Sequence, residues 1–467
     1  MAQGVLRQAA VGAPTAVPAL AALVHDEALG HLRALLAIDT TNPPGNEILA
    51  ARYLESVLAR EGLAGEIHEP LPGRASLVSR QRAAPGNAGE GGALLLTSHT
   101  DVVAAEASRW THPPFSGAVA DGCVWGRGAV DMKSMTVYGL MAFLLAKREG
   151  WPISRDLILA AVADEEAGGE WGMGWLVNNR PEAVRAEFAL NEVGGFTLHL
   201  FGKRVYPVQV AEKGLCWFRL VAEGEPGHGS LPRPDSAVAR LAAAVDRLAR
   251  RPFPMRVTPP AARFIRGLAR AAGPLRGLFL RALLVPGLSG PARRLVPRAR
   301  ARHFQALLSD TANPTCLAAG TKENVVPSRA VAVVDGRFLP GQTVEGFLEE
   351  VRRRVGPGFS IETISAHAPT ETSPDTPLFE LLRETLEKAD PGATVVPNLL
   401  VGYTDAAALS RIGVRTYGFT PMRLPPEIEF SALFHGHDER IPLDAFRWGL
   451  ECFVDAVKRF LTEPRFR

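Results

Sequence analysis

The sequence predicts an α/β fold built on a mainly parallel sheet with helices on both faces. Short apolar runs end at turn residues, a helical pattern separates two of them, and acidic or histidine clusters follow where the runs stop. Apolar runs of this length bounded by turn signals read as buried strands. Strands alternating with helices favour a parallel sheet.

Ala93–Thr97 follows a glycine-rich stretch, Ala83–Gly92, expected as an exposed loop, and leads into Ser98-His99-Thr100-Asp101. Gly128-Ala129-Val130-Asp131 precedes Lys133–Glu149, where Val137, Leu140, Met141 and Leu144 sit at helical spacing. Asp156–Ala163 is the strongest run and ends at Asp164-Glu165-Glu166. Glu187–Leu190 is weaker and ends at Asn191-Glu192, and His435-Gly436-His437 lies near the C-terminus. In open α/β sheets the reactive site lies beyond the carboxyl ends of the strands. These distant residues are therefore expected to converge.

Imidazole nitrogen and carboxylate oxygen are zinc donors. Two metals roughly 3.5–4 Å apart need a shared ligand, and together they activate water and polarise a carbonyl. Asp131 has two oxygens and can bridge. His99 and Asp101 are two apart, so in extended chain their side chains share a side, and Asp101 can accept the second ring N–H of His99. Glu165 and Glu166 are adjacent and face different ways; one can bind metal while the other moves protons. Taken singly, each residue has an ordinary explanation: Asp131 as a helix N-cap, the Glu pair as solvated surface. Their joint occurrence, in order and at strand ends, argues against those explanations.

The motifs Ser98-His99-Thr100-Asp101-Val102-Val103, Trp125 to Lys133, Asp164-Glu165-Glu166, Asn191-Glu192 and His435 to Arg440 resemble the M20 metallopeptidases, the group of aminoacylase-1, carboxypeptidase G2 and succinyl-diaminopimelate desuccinylase. The resemblance implies a phosphorylase/hydrolase-like catalytic domain, formed by residues 1–213 and 368–467. Residues 214–367 would form an inserted α+β lid or dimerisation domain. It implies that His99, Asp131 and Glu192 hold one divalent metal, and that Asp131, Glu166 and His435 hold the other, with His437 a rival to His435. Zinc is the expected metal, with cobalt or manganese suiting the same ligands. Glu165 would be the general base, Asp101 the support of His99, and the bond after Asp131 would be cis. Thr111-His112-Pro113-Pro114-Phe115 and the long middle insertion look most like the PM20D1 branch, which handles N-acyl amino acids.

In the lid, Gly227-His228-Gly229-Ser230 matches a family segment whose His reaches the partner subunit's site and stabilises an oxyanion. Asn324 and Arg337 resemble substrate-binding positions, Arg337 pairing bidentately with a carboxylate. Gly402-Tyr403-Thr404-Asp405 matches a pocket-lining loop. From Arg247 to Ser309 there is no acidic residue, while Arg recurs among apolar residues. This helical insertion, about 252–305, suits contact with an anionic membrane or an acyl chain, or packing on its own domain.

At 467 residues the chain exceeds one ordinary domain. A net charge of +3 gives no indication of nucleic-acid binding. Cys123, Cys216, Cys316 and Cys452 are scattered without a CxxC pair, so neither a cysteine zinc site nor a disulfide framework is expected, and a cytoplasmic location is. No secretory signal or membrane span is expected, and residues up to about Ala22 read as a tail. A serine elbow, Walker loop, Rossmann fingerprint and HExxH helix are absent. The expected activity is two-metal hydrolysis of an amide or peptide bond in a small substrate bearing a free carboxylate, by a homodimer. The alternatives are a dipeptidase or carboxypeptidase, and a non-catalytic binding protein retaining the fold.

Overall fold

The computed structural model describes residues 19–84, 91–294, 298–428 and 430–466. Most of the expected N-terminal tail (1–18), and residues 85–90 of the expected glycine-rich loop, lie outside the described residues. The strands that matter here are β1 (Glu66–Leu71), β2 (Arg74–Gln81), β3 (Leu94–His99), β4 (Leu157–Val162), β5 (Phe188–Asn191), β6 (Lys203–Glu212), β7 (Gly214–Glu223), β8 (Thr311–Ala319), β9 (Arg329–Phe338), β10 (Ser360–His367), β11 (Thr394–Leu400) and β12 (Arg415–Gly418). The helices are α1 (Lys133–Arg148), α2 (Pro259–Ala271), α3 (Pro274–Ala282), α4 (Pro377–Ala389) and α5 (Leu443–Thr462).

The larger sheet runs β1-β2-β4-β3-β5-β12-β6, and β11 also pairs with β6. Its centre is parallel: β4 with β3, β3 with β5, and β5 with β12. β1 and β2 extend it antiparallel at one edge. β3 and β4 are buried at every position, as the continuous apolar runs require of a sheet covered on both faces. α1 is buried almost all round, lying between the sheet and α5; a helix apolar on every side belongs inside.

The smaller sheet, β8-β9-β7-β10, is antiparallel throughout. It has a core of its own around Phe218, Phe338 and Phe347. Only Lys213 separates β6 from β7, so one continuous stretch of chain joins the two sheets.

The arginine-rich segment sits between β7 and β8 in sequence but packs on the larger sheet. Thr258 accepts the N–H of Ala261 and Pro259 opens the first turn, a strong helix start for α2. Ala261, Phe264, Ile265 and Leu268 of α2 join the main core. Gly267 permits the close approach: a Cβ there would lie 2.5 Å from Val396 Cγ1 on β11. Gly267→Val is therefore expected to destabilise the protein by about 1–3 kcal/mol through overpacking. Thermal denaturation measures this, and an unchanged midpoint would contradict the packing of α2 on β11.

Candidate metal centre

β4, β3 and β5 lie side by side and run parallel, so their carboxyl ends share one edge of the sheet. His99 ends β3. Glu165 and Glu166 open a short helical turn that starts three residues after β4 ends, and Glu192 follows β5 directly. Asp131 comes from the loop before α1. Met132 holds the N-cap position there and no side chain caps the helix, so Asp131 is free for another use. The Asp131–Met132 peptide is cis.

Two sets of donors meet. His99, Asp131 and Glu192 form one, Asp131, Glu166 and His435 the other, each with ligand atoms within 4.8 Å of one another. Asp131 belongs to both. Its Oδ1 lies 3.1 Å from His99 Nε2 and its Oδ2 lies 3.3 Å from His435 Nε2. Glu192 Oε2 is 3.7 Å from His99 Nε2, and Glu166 Oε2 is 3.1 Å from His435 Nε2. His437 joins neither set among the described residues, and neither does Glu165, whose Oε2 is 3.9 Å from His99 Nε2.

The donors fit divalent cations. They are imidazoles and carboxylates only, and four acids (Asp131, Glu165, Glu166, Glu192) crowd two imidazoles. Burial and then the charge of Asp131 push Glu166 up to about 7. Burial and the charge of Glu192 raise Glu165 well above the ordinary carboxylate range. Hydrogen bonds to Asp131 and Glu166 push His435 up to about 10. Burial opposes charging His99, yet the Glu192 charge and the carboxylates of Asp101 and Asp131 hold its pKa well above normal. Buried negative charge of this density calls for positive partners.

Buried acids behind the donors position them. Asp101 does more than support His99. The His99 Nδ1 lies 3.0 Å from the Asp101 backbone carbonyl and 3.4 Å from its carboxylate, so the main chain is the nearer acceptor. The carboxylate accepts the N–H groups of Glu165 and Glu166 at 3.2 and 3.1 Å, and Asn42 Nδ2 at 2.8 Å. Glu439 accepts the N–H groups of Gly128, Val130 and Asp131 at 2.9, 2.7 and 3.0 Å, and pairs with buried Arg127 at 2.8 Å. Arg74 ties Asp164 and Glu47 at 2.6 and 2.9 Å. Sequence reasoning missed Asn42, Glu47 and Arg74; no spacing marks them. Glu439 lies inside the His435 to Arg440 motif, but nothing local to that motif shows which loop it clamps.

The centre opens into a cavity of about 240 Å³. Leu215, Trp217, Leu400, Phe430 and Phe434 form an apolar wall, and Gly402 and Tyr403 of the expected loop also line it. Arg337 lines the same cavity, but Asp335 already engages its Nε and Nη2 at 2.7 and 3.3 Å. Nη1 is buried without a partner among the described residues. Asp335 thus occupies the Nε edge of the guanidinium, and the Nη1 side is left for another acceptor.

His228 and Asn324 are not brought to this cavity within the chain. Both are exposed on a small ribbon where Gly227-His228 pairs with Val325-Val326 and Gly229 N–H donates to the Asn324 carbonyl at 2.8 Å. Ser230 N–H lies 3.3 Å and Ser230 Oγ 2.7 Å from His228 Nδ1, so both polar groups of Ser230 face that nitrogen.

Residues 95–459 match the family model described as peptidase family M20/M25/M40. The chain is 27% identical over 441 residues to aminoacylase-1 of Sus scrofa, covering 92% of this chain and 95% of that protein. It is 30% identical over 380 residues to the N-fatty-acyl-amino acid synthase/hydrolase PM20D1 of Homo sapiens, covering 79% and 74%. The M20 family metallo-carboxypeptidase Sso-CP2 from Sulfolobus solfataricus shares the fold at TM-score 0.72 and 19% identity, covering 93% of this chain and 99% of that one.

Glu439→Gln is expected to cost about 3–5 kcal/mol by breaking a buried ion pair and to weaken metal binding by releasing the Asp131 loop. Chemical denaturation and metal titration read both effects; full metal affinity in a folded variant would contradict the anchoring role.

Proposed function

The chain belongs to peptidase family M20/M25/M40, and from that premise we propose that it hydrolyses N-acyl amino acids carrying an apolar acyl group. It is a hydrolase of the metallopeptidase and amidohydrolase kind, acting on a carbon–nitrogen bond. The observation that carries the finer reading is the pair of donor sets sharing Asp131 at the mouth of a cavity with one apolar wall and one arginine. The likeness to aminoacylase-1 and PM20D1 over most of the chain supports it.

His99, Asp131 and Glu192 would hold one divalent cation and Asp131, Glu166 and His435 a second. When bound, zinc ions, or cobalt or manganese at the same donors, supply a polarised carbonyl and an activated water. Glu165 stands outside both sets and close to them, so its carboxylate takes the proton of the attacking water and returns it to the departing amine nitrogen. Arg337 Nη1 donates to the substrate carboxylate. The apolar wall receives the acyl group.

The proposal includes a homodimer in which His228 of the partner subunit donates from Nε2 to the oxyanion, with Asn324 beside it. Its support is their shared exposure on a ribbon apart from their own cavity. A cytoplasmic setting is proposed on the four unpaired cysteines. A dipeptidase or carboxypeptidase would use the same centre; the apolar wall favours the acyl reading over it.

Hydrolysis rates across N-acyl amino acids of rising chain length, beside a dipeptide panel and with and without chelator, test the substrate class. Chelator-sensitive preference for longer acyl chains is expected; preference for dipeptides would replace this reading with the exopeptidase one. Glu165→Ala is expected to retain metal while losing roughly 10²–10⁴-fold in turnover. A normal rate would remove Glu165 as the base.

A further inference from the structure

A second concavity, of about 670 Å³, lies far from the catalytic chemistry in character. α2 presents Arg263, Arg266 and Arg270 along one face, spaced by three and four, and α3 adds Arg281. α4 supplies Arg383 from the other side, over a floor that includes Phe379 and Val395. The acids nearby answer only part of this charge. Asp375 lies 3.6 Å from Arg263, and Glu380 pairs with Arg383. Arg266, Arg270 and Arg281 are exposed and make no side-chain hydrogen bond or ion pair among the described residues.

Beside the cleft, α3 exposes Leu275 at 86% and Leu278 at 71%. Leu275, Leu278 and Arg281 are three apart and form one stripe, so the apolar ridge runs into the cleft's rim. Leu288, in the following turn, is also exposed at 54%.

We propose that this arginine-lined cleft and the leucine ridge beside it dock the protein on an anionic phospholipid bilayer. The arginines take lipid phosphates through paired N–H donors. The leucines enter the boundary between headgroups and acyl chains, the arrangement of an interfacial basic helix. Charge decides against the other occupants. A second copy of this face would bring the same positive excess, five arginines against Asp375 and Glu380. A free phosphate would satisfy the arginines and leave Leu275 and Leu278 in water. No helix among the described residues is long and apolar enough to cross a membrane, so the contact is peripheral.

The test uses the full chain in co-sedimentation with phosphatidylcholine vesicles, with and without phosphatidylglycerol. Inorganic pyrophosphate serves as the soluble-anion probe. Binding is expected only with phosphatidylglycerol. It should fall about 100-fold in Arg266→Gln/Arg270→Gln/Arg281→Gln, from about a factor of five for each arginine at an anionic surface. It should also fall in Leu275→Ser/Leu278→Ser. All five positions are exposed, and unchanged thermal melting verifies that the variants fold. Absence of wild-type binding to phosphatidylglycerol vesicles, or equal binding by either variant, would overturn the proposal. So would pyrophosphate binding without vesicle binding, which would mark a soluble-anion pocket. The readout is binding alone, so the result is independent of the acyl-amino acid reading.

Discussion

Asp131 turns one oxygen toward His99 and the other toward His435, so a single side chain must serve two donor sets at once. That demand fixes the loop carrying it. A carboxylate on a mobile loop would satisfy one set at the expense of the other. Glu439 removes that freedom by accepting three N–H groups of that loop from inside the protein, those of Gly128, Val130 and Asp131 itself. Because Glu439 lies four residues after His435, the same short segment that delivers the last donor also clamps the shared one.

Asp101 repeats the device on the other side. Burial works against its charge, but hydrogen bonds from His99, Asn42 and Glu166 keep its pKa below the ordinary range. It holds the Glu165-Glu166 turn by main-chain groups and leaves both Glu side chains free for chemistry. The turn begins at Asp164, which adopts a left-handed backbone at φ 72, and His435 does so at φ 59. Such conformations cost about 1–3 kcal/mol each and persist where surroundings over-determine them. At Asp164 the surroundings are visible: Arg74 and the Trp171 N–H grip its two oxygens. The rigidity of the centre is thus supplied from a layer of buried ions behind it.

The sheet and its site edge were legible because buried parallel strands leave a continuous apolar signature, and the donors follow those strands directly. Asp131 was legible as a candidate, and the structure explains its availability by leaving the helix cap to Met132. Arg74, Glu47 and Asn42 were not legible: they act through tertiary contacts distant in sequence, such as Arg74 to Asp164 at 90 residues and Asn42 to Asp164 at 122, and no local pattern encodes that. The arginine-rich insertion was readable as amphipathic helix, but which sheet it would cover was not. That depends on Gly267 allowing α2 to approach Val396. His228 and Asn324 lie on an exposed ribbon and do not line the cavity, so the role proposed for them needs a second copy of the chain.

The most direct test of the account is the position of bound metal. Anomalous X-ray scattering at the zinc edge, on crystals of the zinc-loaded protein, should show two peaks roughly 3.5–4 Å apart, one on each side of the Asp131 carboxylate. A single peak, or peaks away from His99 and His435, would contradict the claim that Asp131 joins two metal sites.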